Sequence, residues 1–216
     1  MVRRYFLTMA LALAASVAVG GCASGGGREA TAEGPPPAPG ATLALIPAFP
    51  GTEETETTVI VVRHAEKATG QGDDPHLSDF GEARARALAR ALEDAGVTAV
   101  ITTQFVRTGE TAAPTARAAG VAPEVVPVRW DSVPSNAAAV AQAAERHRGE
   151  VVLVVGHSNT VADIVAALGG EKPGEICESE YDRMEIVTIE VTGTVRLIES
   201  RYGAPTPLNA GCASMK

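Results

Sequence analysis

The sequence predicts an α/β fold of three layers, αβα, with a mostly parallel central sheet and a C-terminal antiparallel hairpin at the sheet edge. Three observations point there. From residue 57 onward, strand-like and helix-like segments alternate, the order that builds a parallel sheet covered by helices on both faces. The runs TTVIVV and EVVLVVG are continuously apolar and β-branched, as in strands buried on both sides. The last two strand-like runs, MEIVTIEV and TVRLIESR, flank Thr192 and Gly193 and read as a hairpin.

Each element has its own signal. TTVIVV opens the domain as the first strand. In LSDFGEARARALARALEDAG, Phe80, Ala83, Ala87, Leu88, Ala91, Leu92 and Ala95 recur at helical spacing, with Ser78 as the start and Gly96 as the end. VTAVITT is the second strand and TGETAAPTARAAG lies in the second helix; PEVVPV is the third strand and SNAAAVAQAAERHRG the third helix. EVVLVVG is the most apolar strand, and NTVADIVAALGG is the helix after it. These elements place the folded domain at residues 57–203, with a tail at 204–216.

The start of the chain has a different character. Arg3 and Arg4 precede an apolar stretch from Tyr5 to Val19, and small residues lead to Cys22. These are the parts of a signal peptide, and the stretch is short for a membrane span. Val19, Gly20, Gly21 and Cys22 resemble the lipobox of a bacterial lipoprotein. The resemblance implies cleavage after residue 21, lipidation of Cys22, and an exported, membrane-anchored protein facing the periplasm or the cell exterior. Residues 22–56 are dominated by Gly, Pro, Ala, Thr and Glu, a composition of a flexible tether.

The balance of charge narrows the partners. Asp and Glu number 26 against 18 Lys and Arg, a formal net charge of -8, so a nucleic-acid partner held by phosphate neutralisation is not expected. With Cys22 set aside, Cys177 and Cys212 are an even pair in an oxidising setting and a candidate disulfide, with two free thiols as the alternative. Neither has a histidine or second cysteine at metal spacing, so no metal and no cofactor is expected.

Chemistry gathers at three strand ends. The first strand is followed by Arg63 and His64, the second by Gln104 to Arg107, and the strand EVVLVVG by His157. Ligands of open α/β sheets bind outside the carboxyl ends of the strands, so these residues belong on one rim. Two guanidiniums, two imidazoles and nearby helix N-termini suit a compact, doubly charged anion, most simply a phosphate.

RHAEK at 63–67, LSDFGEARA at 77–85, TQFVRTGETA at 103–112 and GHSNT at 156–160 together resemble the histidine phosphatase superfamily, the phosphoglycerate-mutase-like fold. The resemblance spans the domain. It implies His64 as the nucleophile that is phosphorylated, Arg63 and Arg107 as phosphate ligands, and His157 as the second histidine of the phosphate pocket. Hydrolysis then needs no metal, resists chelators, and falls at acid pH as His64 protonates. For the leaving-group proton, Asp131 lies where mutase-like members carry a glutamate, and Asp73, Asp74 and Asp163 are alternatives.

Several polar residues have plainer readings beside functional ones. Glu66 and Lys67 read as an exposed ion pair, or Lys67 as pocket wall; His76 and His147 as solvated; Tyr181 and Asp182 as organisers of the hairpin or pocket edge; Trp130 as a packed or lid aromatic. The implied function is a phosphatase for a phosphomonoester or phosphohistidine, on a small molecule or a phosphoprotein. Two alternatives stand beside it. One is a non-catalytic lipoprotein binding phosphorylated ligands, and the other a mutase-like phosphotransferase, for which only the short segment 121–134 would serve as a lid.

Overall fold

Alternating strands and helices fill the computed structural model, which describes residues 55–129 and 131–207, all within the unit Ala48–Lys216. Cys22, Trp130 and Cys212 lie outside the described residues, as do the signal and nearly all of the tether. The described elements are β1 (Thr57–Arg63), α1 (Asp79–Ala91), β2 (Val97–Thr102), α2 (Val106–Ala119), β3 (Glu124–Val125), α3 (Val133–Glu145), β4 (Val151–Gly156), α4 (Val161–Ala167), β5 (Arg183–Ile189) and β6 (Val195–Arg201).

The sheet runs β3-β2-β4-β1-β5-β6. β1, β2, β3 and β4 are parallel, while β5 runs antiparallel to both β1 and β6, so the expected hairpin closes one edge. Alternation along the strands feeds two cores. Val59, Val61, Val152 and Val154 pack with Val140, Ile164 and Val165 of α3 and α4, whereas Ile60, Val62, Leu153 and Val155 pack with Leu88 and Ala112 of α1 and α2. The helices that follow the neighbouring strands β1 and β4 therefore leave toward opposite faces, which opens a crevice at the carboxyl ends of those strands.

Two expectations are corrected. The third strand is only Glu124–Val125, because Pro123 and Pro127 bracket it and proline cannot donate to a ladder. Helix α1 starts at the Ser78 cap as expected but ends at Ala91, with Leu92 as its C-cap in place of the expected Gly96, and its inward stripe is Gly81, Arg84, Ala85 and Leu88. Phe80 is 81% exposed, and Ala83 and Ala91 are exposed as well. The phase is set by polar contacts. Gly81 lies so close to the Glu66 carbonyl that a Cβ there would overlap it, and Arg84 is drawn in by the Glu66 carboxylate at 2.8 Å.

Candidate active site at the carboxyl ends of the strands

β1 and β4 pair through Arg63 and Gly156, and the His64 amide donates to the Gly156 carbonyl at 2.9 Å. That register sets the first residues past each strand side by side: the His64 and His157 rings lie 5.4 Å apart, edge to face. β2 flanks β4 on the other side, and its end delivers Thr103, whose hydroxyl lies 3.1 Å from Nε2 of His157. Residues nearly a hundred positions apart thus meet through strand register alone.

Arg63, His64, Arg107 and His157 are all buried. The Nδ1–H of His64 donates to the carbonyl of Ala65 at 2.8 Å, which leaves Nε2 with its lone pair. Burial, and then the charges of Arg63, His157 and Arg107, lower the His64 pKa to about 2, against the upward pull of the Ala65 carbonyl. His157 is lowered to about 3 by burial, then Arg107 and Arg63. Both imidazoles are neutral, so protonation of free His64 moves the expected acid limb of activity far below its ordinary place near pH 6.5. His157 is oriented by a hydroxyl chain, since Thr108 Oγ1 lies 3.0 Å from Thr103 Oγ1 and donates to the Phe105 carbonyl at 2.8 Å.

The two guanidiniums are held from behind. Arg63 donates through Nη1 to the carbonyls of Cys177 (2.8 Å) and Glu180 (3.1 Å), and its plane lies 4.1 Å from the centre of the Tyr181 ring. Arg107 donates through Nη1 to Asp74 at 3.3 Å and stacks 4.3 Å from the Phe105 ring. The Nε of each arginine is buried and has no hydrogen-bond partner among the described residues. Buried donors of this kind are costly unless a ligand satisfies them, and two buried like charges in one crevice favour an anion.

Other candidates fall into place. Asp74 also accepts from the Val106 amide at 3.1 Å, so the N-terminus of α2 is capped by a carboxylate. Asp131 is exposed and pairs with Arg129 at 3.2 Å, and Asp163 pairs with Lys172 at 2.7 Å. Glu66 pairs with Arg84 rather than with Lys67, which corrects the expected exposed pair; Lys67 is exposed at a bridge with Leu77, and its charge acts on His157. His76 is exposed against Glu110, and His147 is partly buried between Glu124 and Glu150. Tyr181 lines the pocket, its ring 6.3 Å from that of His64, while Asp182 bonds Arg201 at the start of the hairpin.

Four site residues carried no reading of their own in the sequence: Thr103, Phe105, Thr108 and Glu178. The first three sit inside TQFVRTGETA, beside Arg107, and strand-end position was their signal. Glu178 bonds Arg63 Nη2 at 2.9 Å from a segment between α4 and β5 that has no periodicity. Cys177 is buried and disulfide-bonded; its expected partner, Cys212, is outside the described residues. Among the described residues no group of three or more His, Cys, Asp or Glu is placed to hold a metal ion, and no helix is long and apolar enough to cross a membrane.

Residues 59–128 match the histidine phosphatase superfamily (branch 1). That segment carries Arg63, His64 and Arg107, and His157 lies beyond it. Among solved structures, the chain is similar to the protein histidine phosphatase SixA complexed with tungstate, with 19% identity over 67% of this chain and 96% of that one and a TM-score of 0.53. A phosphoserine phosphatase from Entamoeba histolytica, in complex with 3-phosphoglyceric acid, is 12% identical over 68% and 98%, with a TM-score of 0.52. A mycobacterial glucosyl-3-phosphoglycerate phosphatase is 14% identical over 69% and 99%, with a TM-score of 0.51. No curated protein matches the chain by sequence. At these identities the likeness establishes the fold, and the chain has the histidine phosphatase fold.

Proposed function

We propose that the protein is a histidine phosphatase, hydrolysing a phosphomonoester or phosphohistidine through a phosphohistidine intermediate on His64. One observation carries the reading: a neutral His64 whose Nδ1–H is spent on the Ala65 carbonyl, beside two buried arginines with unpartnered Nε donors. Nε2 forms the N–P bond as the bond to the leaving group breaks, and the guanidiniums with His157 stabilise charge on the equatorial oxygens. Water then attacks phosphorus, the N–P bond breaks, and orthophosphate leaves. Asp131 would have to leave Arg129 to protonate a leaving oxygen, which favours substrates whose leaving group departs without a strong acid. Release of p-nitrophenol from p-nitrophenyl phosphate by the purified chain, at the same rate with and without a chelator, is the expected result; a requirement for added divalent metal would overturn this mechanism.

The site works outside the cytoplasm in this reading, on a chain anchored by lipid at Cys22. The charged start, the apolar stretch Tyr5–Val19 and the small residues before Cys22 support it. Cys22→Ser is expected to move the protein from the membrane fraction to the soluble one. Continued membrane association of the variant would argue for an uncleaved apolar segment instead.

A further inference from the structure

A planar guanidinium grips an oxyanion best along one edge, with two parallel N–H donors. Arg63 has spent Nη1 on two carbonyls, so the edge left for an anion is Nε with Nη2. Nε has no partner among the described residues, but Nη2 already donates to Glu178 at 2.9 Å and, at 3.4 Å, to the Tyr181 hydroxyl. Arg107 differs. Asp74 takes its Nη1, and its buried Nε has no hydrogen-bond partner among the described residues. Of the two carboxylates, Asp74 holds a nitrogen outside that edge of Arg107, whereas Glu178 holds one of the two nitrogens that form the edge of Arg63.

We propose that Glu178 gates the site as a tethered competitor of the phosphate group, displaced from Arg63 when substrate binds and returning to expel orthophosphate. This rests on the phosphate-site reading above. The side chain has open space around it: 74% of it is exposed, against 1% for Arg63. It also has somewhere to go. Ser158 Oγ donates to the other carboxylate oxygen, and the charge of Lys67 reaches Glu178, so the carboxylate leaves Arg63 without losing every partner. Because the competitor is part of the chain, its effective concentration is high, and phosphate binds only by exceeding it.

Calorimetric titration of the full chain with inorganic phosphate tests this, on wild type, Glu178→Gln and Asp74→Asn. Loss of one charge-assisted hydrogen bond to the competitor is expected to tighten phosphate binding about tenfold in Glu178→Gln, with a parallel fall in KM for p-nitrophenyl phosphate. Asp74→Asn removes an equal charge without freeing the Arg63 edge, so it is expected to gain less. Unchanged or weaker binding by Glu178→Gln overturns the gate while leaving the phosphate site standing, and so does an equal gain in Asp74→Asn, which would reduce the effect to charge balance. A fall in kcat with binding unchanged overturns it in favour of a proton-donor role for Glu178. If wild type and both variants neither bind phosphate nor hydrolyse the ester, the phosphate-site reading itself fails and the gate with it.

Discussion

His64→Ala is expected to lower phosphomonoester hydrolysis by roughly 10⁴-fold or more, the scale seen when a covalent nucleophile is deleted. The size follows from what remains. In the proposed mechanism Arg63, Arg107 and His157 would still bind the anion, but no lone pair would face phosphorus, and direct attack by water would lack a positioned base. His157→Ala removes charge stabilisation rather than the nucleophile and is expected to cost about 10²- to 10³-fold in kcat. The two variants also differ in the intermediate. Wild type and His157→Ala, quenched during turnover, should carry phosphate on His64 that is acid-labile and alkali-stable, and His64→Ala should carry none. Wild-type turnover by His64→Ala, or phosphate trapped on another residue, would sink the assignment. The small side-chain change leaves the fold in place, since the backbone amide of residue 64 still donates to Gly156.

The site was legible where chemistry coincides with a local pattern. VIVVRH is an apolar run ended by two polar groups, and parallel pairing with VVLVVGH carries those groups to one rim. Arg63, His64 and His157 are legible in this way, and Arg107 follows from the end of the next parallel strand, β2. What periodicity could not see were contacts made by irregular chain. Glu178, Glu180 and Cys177 meet Arg63 across more than a hundred residues, in a segment with neither helical nor strand spacing. The α1 stripe departs from the hydrophobic pattern for a related reason: the pattern assigns Phe80 inward, whereas Arg84 goes inward because Glu66 meets it there. A partly buried ion pair is a tertiary event, and no count of apolar residues in the helix contains it.

Those buried imidazoles make stability depend on pH in a window that can be stated. An unfolded histidine titrates near pH 6.5, while folded His64 and His157 are lowered to about 2 and about 3. Between these limits the unfolded chain binds two protons that the folded chain refuses, so stability falls as pH drops below about 6.5. Each imidazole contributes a slope of about 1.4 kcal/mol per pH unit, and from pH 7 to pH 5 the pair is expected to cost roughly 4 kcal/mol. Glu178 and Asp182 interfere little in that interval, because both carboxyls are held below their ordinary values and titrate further into acid. Glu185 acts in the opposite sense, its buried carboxyl pushed up by desolvation against the pull of Arg183. Urea unfolding at pH 7 and pH 5 reads the difference directly. His64→Asn removes one of the two proton-refusing groups and should flatten the dependence by about half. An equal slope in the variant, or stability unchanged between the two pH values, would mean that His64 is charged in the folded protein, and a protonated imidazole has no lone pair with which to attack phosphorus.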